Sequence, residues 1–289
     1  MILAPLRGVT IRCFRETFAE EIRDAGFIEA ITPFITANAG YDPLKDRELR
    51  DQGSGIGDQG LRVTPQFIGK DPEALRVCLE KIKAAGYDTA DLNCGCPFPM
   101  VRNKGRGSGI LRTPDVLRRM LEVGCEVMGA GKFSMKARLG VDRNDELLKL
   151  MPMINGFPLR FLTVHARTAR QMYEGSCDWK AVEAIENSAQ VPVVRNGDIA
   201  CIGASDHPTI RPVMVGRSFV RSLGEREDSD ELLNRYIVAS QAELCGDRPV
   251  LGRMKELISY WKDLPRWKRR WNIIKLCRTV DELKSCLDV

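Results

Sequence analysis

The feature that most constrains this chain is a regular alternation of short apolar runs and amphipathic segments over its first three quarters. Eight apolar runs recur, and most are followed by a segment with apolar residues at helical spacing. Strands that alternate with helices pair in parallel, with right-handed crossovers. The runs that we expect to form strands are 1–6, 27–32, 64–69, 88–94, 133–139, 161–166, 191–197 and 211–216.

Eight such units within about 220 residues favour an α/β fold that closes into a (β/α)8 TIM barrel. An open doubly wound sheet is the alternative, because the order of the strands is not visible in one sequence. After about Leu223 the pattern changes to amphipathic helices with no apolar strand between them. We therefore expect a barrel domain over residues 1–224 and a small C-terminal helical bundle over residues 225–289.

The composition is that of a soluble globular protein, with 44% hydrophobic and 29% charged residues. No apolar run approaches the ~20 residues that span a bilayer. The first residues lack the basic segment and the length of a signal peptide. Ten scattered cysteines without a secretion signal indicate reduced thiols. We therefore expect a cytoplasmic protein without a membrane segment.

Positive charge is concentrated near the C-terminus. Residues 262–275 contain six basic residues and one acid, a local excess of +5 that equals the formal net charge of the whole chain, +5. Trp261, Trp267 and Trp271 lie in or beside this segment. A solvated helix face, with tryptophans in the bundle core, is one interpretation of such a segment.

Polar and special residues collect at the expected C-terminal ends of the strands, where barrels of this type place their active groups. A buried lysine at position 136 is costly unless it meets an anion, which favours an anion-binding role. His165 suits either a site or a structural role. Asn196 to Asp198, with Gly216 and Arg217, match the phosphate site that barrels often build after strands seven and eight. The strand-end residues are Ala4, Pro5, Gln66, Asn93, Cys94, Cys96, Lys136, Arg138, His165, Arg167, Asn196, Gly197, Asp198, Gly216 and Arg217.

Two cysteines stand one residue apart in the segment DLNCGCPFP. A zinc site would need a different spacing and further ligands nearby, and a disulfide between them would be strained. Cys94 continues a strand and is expected to pack in the protein interior. Cys96 follows Gly95 on a loop over the barrel mouth, where a thiol can act as a nucleophile or as an acid. The glycine-rich segment 103–111 that follows is typical of a phosphate-binding loop or of a flexible surface loop.

An ordered set of motifs resembles the tRNA-dihydrouridine synthases from residue 2 to beyond residue 280. The segment GRMKELISYWKDLPRWKRRW is similar to the helical RNA-binding domain of that family. The combination of NxGCP, HxRT and DW is more specific than any single motif. The matching motifs are LAPLRGVT, PQFIG, DLNCGCP, KGRGSGIL, MKARLG, TVHARTARQMYEGSCDW, VVRNGDI and VMVGR.

The resemblance implies an FMN-dependent reductase of uridine in tRNA that uses NADPH. In that family the flavin passes a hydride from N5 to C6 of a flipped-out uracil, and a loop cysteine, here Cys96, gives a proton to C5. The base must leave its stack because the target carbon is inaccessible there. A monomer without a metal is expected.

The resemblance also assigns roles to individual positions. Lys136 is implied to favour negative charge near N1 of the reduced flavin. The residues implied to bind FMN are Ala4, Pro5, Gln66, Asn93, Lys136, His165, Asn196, Gly197, Asp198, Gly216 and Arg217. The residues implied to face the substrate or the RNA are Arg138, Arg167, Arg170, Lys104, Arg106, Lys255, Lys268, Arg269 and Arg270.

Three positions depart from the family pattern. Pro33 stands where an acidic residue is usual, Arg106 replaces a small residue, and the first loop reads GVTIRCF without the common aspartate. These departures concern the orientation of the substrate and the choice of RNA. The alternatives are a flavin barrel for a small pyrimidine, an enzyme for another structured RNA such as rRNA, and a non-catalytic RNA-binding relative.

Overall fold

The computed structural model describes residues 1–49, 60–201 and 212–287, and its strands form a closed ring of eight. All pairings in the ring are parallel. The strands are β1 (Ile2–Leu3), β2 (Glu29–Ile31 and Ile35–Thr36), β3 (Arg62–Thr64 and Gln66–Ile68), β4 (Ala90–Cys94), β5 (Phe133–Arg138), β6 (Leu162–His165), β7 (Val193–Asn196) and β8 (Val213–Val215). Each predicted strand is present, although Arg211, the first residue of the last predicted run, lies outside the described residues.

Prolines split two of the strands without opening the ring. Pro33 interrupts β2 and Pro65 interrupts β3, since proline has no N–H to donate to the ladder. The first halves of β2 and β3 still pair with each other, and so do the second halves. In β1, Ile2 lies opposite both Met214 of β8 and Glu29 of β2, which closes the ring. The predicted barrel is therefore confirmed, and the open sheet is excluded.

Helices cover the outside of the ring. The longest, α3 and α5, each begin with a proline in the first turn, where its missing N–H costs nothing. The side chain of Asp71 caps α3 by accepting hydrogen bonds from the N–H groups of Glu73 and Ala74. The helices are α1 (Arg12–Thr17), α2 (Ala19–Asp24), α3 (Pro72–Ala84), α4 (Pro99–Arg102), α5 (Pro114–Met128), α6 (Glu146–Ile154), α7 (Trp179–Ser188) and α8 (Arg217–Glu225).

Alternate residues of the strands face the helices and the barrel interior. In β4, Leu92 and Cys94 are fully buried in the apolar cluster formed with the helices, as predicted for Cys94. Asp91 and Asn93, which alternate with them, make polar contacts with neighbouring strands. This period of two puts the polar residues of the central strands inside the ring and near its mouth.

The C-terminal region is helical, as predicted. Its third helix, α11, lies in the basic segment and begins at Pro265. No helix in the described part of the chain is long and apolar enough to cross a membrane. The helices are α9 (Ser229–Glu243), α10 (Asp247–Ser259), α11 (Pro265–Ile274) and α12 (Val280–Ser285).

These four helices pack on the barrel through a shared apolar cluster that also contains residues of β1, α1 and α8. Trp261 and Trp267 are fully buried there, with ring centroids 4.7 Å apart. Their indole N–H groups donate to the carbonyl oxygens of Val220 (2.6 Å) and Gly224 (3.0 Å) in α8. For these two tryptophans the core interpretation is confirmed. The division of the chain at residue 225 stays a prediction.

We expect Trp261→Ala to lower the free energy of unfolding of the whole chain by about 3–5 kcal/mol, because the truncation leaves a cavity in the shared cluster. Urea denaturation followed by far-UV circular dichroism measures this change. Trp271→Ala is the matched control and should cost less, because Trp271 is only half-buried. A Trp261→Ala protein in which the helices melt early while the barrel keeps its wild-type midpoint would contradict the shared core.

Candidate active site

A cavity of about 610 Å³ opens where the barrel strands end. The C-terminal ends of parallel strands meet at one face, so residues distant in sequence become neighbours there. Most of the polar wall comes from residues that the sequence placed at strand ends. The predicted residues in the wall are Ala4, Pro5, Asn93, Cys96, Lys136, Arg138, His165, Asn196, Gly197, Gly216 and Arg217.

Cys96 lies in a tight turn directly after β4. The side-chain oxygen of Asn93 accepts hydrogen bonds from the backbone N–H groups of Gly95 (3.1 Å) and Cys96 (2.9 Å). The carbonyl of Cys96 accepts from the hydroxyl of Ser108 at 2.9 Å. Gly107 has φ +57°, and a Cβ atom there would lie 2.8 Å from the Cβ of Cys96. The glycine-rich segment therefore packs against the cysteine turn and holds it in place.

Cys96 lines the cavity, but the residue is only 7% exposed. Burial raises its pKa, although the positive charges of Arg7, Arg138 and Lys136 act in the opposite direction. The thiol is therefore protonated at neutral pH, which suits an acid better than a nucleophile. Among the described residues, no group of three or more His, Cys, Asp or Glu side chains could hold a metal ion.

Asn93 belongs to a row of buried polar groups that crosses β3, β4 and β5. Its amide N–H donates to Oε1 of Gln66 at 2.7 Å, and Nε2 of Gln66 donates to Oδ2 of Asp91 at 2.7 Å. The hydroxyl of Ser134 donates to Oδ1 of Asp91 at 2.6 Å. Gln66 is fully buried, so its described contacts support the cavity wall from behind. Its predicted contact with a cofactor stays a prediction.

Lys136 is held at the cavity by a side-chain amide from β7, two strands away in the ring. Its Nζ donates to Oδ1 of Asn196 at 2.9 Å, and Nδ2 of Asn196 donates to the carbonyl of Met214 at 2.8 Å. Burial and the charge of Arg138 lower the pKa of Lys136 to about 8. Lys136 is thus still mainly charged at neutral pH, and its position favours a ligand with negative charge.

Arg138 joins two loops at the mouth. Its Nε donates to the carbonyl of Gly95 at 3.0 Å, next to the cysteine turn. Its Nη1 donates to the carbonyls of Thr168 (2.9 Å) and Met172 (2.6 Å) in the loop after β6. Burial lowers the pKa of Arg138 to about 10, which leaves it charged at neutral pH. It therefore contributes positive charge to the site while it fixes both loops.

His165 is 7% exposed, and its ring lies edge-on to Tyr173 with centroids 6.5 Å apart. Burial lowers its pKa well below the ordinary value, and the nearby charges of Arg138 and Lys136 act in the same direction. Its Nδ1 is buried and has no hydrogen-bond partner. The ring is therefore neutral, and a buried polar atom of this kind favours a bound group that would pair with it.

Two arginines share one carboxylate beyond Gly197. Asp198 accepts hydrogen bonds from Arg217, at 2.6 Å, and from Arg167. Arg217 lines the cavity, whereas Arg167 is 2% exposed and also donates to backbone carbonyls, including that of Gly175. Arg167 thus lies behind the wall, and the exposed carboxylate of Asp198 links it to Arg217 beside Gly197 and Gly216.

The other predicted cations lie outside this cavity. Arg170 pairs with Asp142 at 2.6 Å in a neighbouring surface cavity. Lys104 is exposed and Arg106 is half-buried, both in the glycine-rich segment. Their predicted contact with RNA stays a prediction.

The predicted RNA-facing cations of the C-terminal helices differ in their contacts and exposure. Nζ of Lys255 donates to the carbonyls of residues 275 and 277, at the end of α11. Arg270 pairs with Asp230 at 2.6 Å and stacks on the ring of Trp267. Lys268 and Arg269 are exposed on α11. Of this group, Lys268 and Arg269 are the most accessible to a large partner.

Several cavity residues had no signal in the sequence. Arg7 lies over the ring of Phe34, 5.4 Å from its centroid, and both line the cavity. The guanidinium groups of Arg138 and Arg217 lie over the ring of Tyr173, with their Cζ atoms 5.2 and 5.0 Å from its centroid. A further part of the wall comes from Glu256 of α10, from Tyr260 directly after that helix, and from Pro33, which had been noted only as a departure. No strand-end rule could indicate α10, because a tertiary contact brings it to the mouth.

The sequence profile of the dihydrouridine synthase family matches residues 2–222. The chain belongs to this family. It is 29% identical over 202 residues to tRNA-dihydrouridine synthase B of Vibrio cholerae, a match that covers 69% of this chain and 60% of the relative. It is 28% identical over 209 residues to tRNA-dihydrouridine(16) synthase of Yersinia pestis, a match that covers 69% of this chain and 64% of that relative. The chain thus spans about 60% of the length of the first of these relatives.

Solved structures of other proteins share the barrel. The old yellow enzyme homologue from Zymomonas mobilis has a TM-score of 0.55 and 12% identity, covering 76% of this chain and 85% of that one. Morphinone reductase has a TM-score of 0.52 and 11% identity, and the match covers 76% of this chain and 82% of that one. At this level of identity, the likeness shows only that these proteins and this chain share the barrel fold.

The buried carboxyl of Asp91 makes stability depend on pH. Burial raises its pKa from 3.8 to about 6, and the hydrogen bonds from Ser134 and Gln66 and the charge of Lys136 only partly offset this effect. Because the pKa is raised in the folded state, the contribution of Asp91 to the free energy of unfolding is most favourable below about pH 4. This contribution is lost as the pH rises through about 6.

We therefore expect the free energy of unfolding of the wild type to fall, relative to Asp91→Asn, by about 2 kcal/mol between pH 4 and pH 7, at about 1.4 kcal/mol per pKa unit. Urea titrations of both proteins at several pH values measure the difference. A difference that is independent of pH would mean that Asp91 titrates at its ordinary pKa.

Proposed function

We propose that this protein is an FMN-dependent reductase that converts uridine in tRNA to dihydrouridine. The observation that carries the proposal is that the buried residue Cys96 lines a cavity with positive charge from Lys136 and Arg138. The membership of the chain in the dihydrouridine synthase family supports it. We further propose NADPH as the reductant, a monomeric state and a cytoplasmic location.

Reduction of the C5–C6 bond requires one hydride and one proton. When bound, FMN would supply the hydride to C6 of the uracil. Cys96 would give the proton to C5, which its raised pKa permits because the thiol stays protonated until that moment. Negative charge that develops on the uracil oxygens would be stabilised by the cations of the cavity. The thiolate that remains would be reprotonated from water when the product leaves.

The residues of the cavity fit a flavin phosphate. Lys136 offers a charged donor, and the unpartnered Nδ1 of His165 offers a polar atom toward the ring system. At the other end, a Cβ on Gly216 would lie 3.0 Å from the Cβ of Ala4, so glycine leaves space beside Arg217. Gly216, Arg217 and Gly197 would hold the phosphate, and Lys136 and His165 would hold the isoalloxazine.

The proposed RNA surface combines the cavity rim with α11. A uridine must leave its stack to enter a cavity at the end of a barrel, and the rest of the RNA must then rest on the surrounding surface. Lys268 and Arg269 are exposed on α11. The preceding helix of the same C-terminal region, α10, contributes Glu256 to the cavity wall. Contacts of lysine and arginine with phosphates give salt-sensitive binding that depends on RNA shape.

Cys96→Ala should keep flavin binding and NADPH oxidation and should lose dihydrouridine formation by at least about 10²-fold, the usual contribution of a general acid. Flavin absorbance, NADPH oxidation and mass spectrometry of digested tRNA measure these three properties. Cys94→Ala, which removes a buried thiol two residues away, is the control and should keep product formation. Unchanged turnover in Cys96→Ala would move the acid role to another group.

Lys268→Glu combined with Arg269→Glu should weaken tRNA binding by about tenfold at ~0.1 M salt, because two phosphate contacts become repulsive. Reduction of bound flavin by NADPH should not change. Arg118→Glu combined with Arg119→Glu, on α5, makes the same charge change at exposed positions of the barrel and is the control. Equal loss in both double variants would argue for a diffuse electrostatic effect and against a specific surface on α11.

The experiment that tests the whole proposal is the mapping of dihydrouridine in RNA from cells with and without the gene. Loss at defined tRNA positions supports it, and loss only in rRNA identifies that alternative substrate. Dihydrouridine that is unchanged in all RNA would contradict the proposal and leave the small pyrimidine as the alternative. A purified protein that is colourless and takes up no FMN would contradict every flavin-dependent form of the proposal.

A further inference from the structure

We infer that Asp91 is a positioning residue whose carboxylate sets the conformation of the Cys96 turn through the side chains of Gln66 and Asn93. Asp91 is fully buried and does not line the cavity. The consequence for catalysis rests on the proposed function, whereas the effect on the turn does not.

Hydrogen-bond polarity at the two ends of the row determines how both amides are oriented. The backbone N–H groups of Gly95 and Cys96 can only donate, so the atom of Asn93 that faces them must be its oxygen. The amide nitrogen of Asn93 then points to Gln66, which must offer its own oxygen. The nitrogen of Gln66 is therefore left facing Asp91, where only an acceptor completes the row.

Asp91 supplies that acceptor in a fixed direction. Its second oxygen accepts from the hydroxyl of Ser134 at 2.6 Å, which holds the carboxylate plane between β3 and β5. An apolar side chain at this position would leave the nitrogen of Gln66 buried without a partner, which is costly. The Gln66 amide would then lose the contact that fixes its orientation, and any rotation would bring its N–H₂ against the N–H₂ of Asn93. Asn93 could no longer face both Gln66 and the turn.

The role depends on an acceptor and not on the charge itself. Asparagine at position 91 keeps an oxygen for Gln66 and can direct its nitrogen to the hydroxyl of Ser134, which is able to accept. Asp91→Asn should therefore preserve the turn, whereas Asp91→Leu, of similar size, should release it. This pair separates the proposed role from a simple need for a filled core.

The direct test is amide hydrogen exchange of Gly95 and Cys96 in purified wild type, Asp91→Leu and Asp91→Asn, without any reaction. Exchange should be about fivefold to tenfold faster in Asp91→Leu, the equivalent of one lost hydrogen bond, and unchanged in Asp91→Asn. Thr163→Val is the matched control, because Thr163 is fully buried in the adjoining strand β6 and its hydroxyl has no partner. It should leave the exchange of both amides unchanged.

Turnover is the second readout. In Asp91→Leu, kcat for dihydrouridine formation should fall by about ten- to a hundredfold with KM for tRNA nearly unchanged, since the acid is displaced while the RNA surface is intact. Asp91→Asn should restore kcat. If the wild type forms no dihydrouridine, the proposed function fails, but the exchange experiment still decides the role of Asp91.

Equal exchange in Asp91→Leu and wild type would overturn the inference, and so would a loss of protection in Asp91→Asn as large as in Asp91→Leu. If Asp91→Leu does not fold, Gln66→Met removes the same link in the row. Faster exchange of Gly95 and Cys96 in that variant supports the inference, and wild-type exchange overturns it.

Discussion

The pairing of β1 with both β8 and β2 is the interaction on which the rest of the structure depends. It closes the ring, and because every pairing is parallel, all strands end at the same mouth. The cavity exists only because of this closure. It collects side chains that directly follow the first strand, such as Ala4, and side chains from the start of the helix after the last strand, such as Arg217. Prolines in β2 and β3 do not prevent closure, since each half still pairs.

Closure also creates the electrostatic conditions of the site. The period of two along β4 and β5 turns Asp91, Asn93 and Lys136 away from the apolar layer that packs on the helices. In that interior, burial raises the pKa of Asp91 and Cys96 and lowers the pKa of Lys136. Each shift favours the neutral form of its group. The burial that closure creates therefore keeps the thiol of Cys96 protonated beside the cations of the cavity. The proposed proton transfer uses this condition.

Much of the site could be predicted because strand ends are visible in the sequence. The apolar runs indicated the strands, and the residues that follow them, such as Cys96 and His165, lie in the cavity wall. Asp91 and Ser134 were missed, since a polar residue within a strand gives no sign of its partner on the next strand. Gln66 was identified, but its place behind the wall depends on side-chain contacts that no spacing reveals.

The sequence by itself determined the alternation of strands and helices, the set of strand-end residues and the basic segment near the C-terminus. These features are local, and periodicity and turn residues report them. Only the tertiary structure decided that Trp261 and Trp267 are core, that Arg167 lies behind the wall, and that Glu256 and Tyr260 reach the mouth. The reason is physical: exposure, ion pairing and helix docking depend on which distant surfaces meet, and that is settled when the apolar faces of the helices and the barrel are buried together.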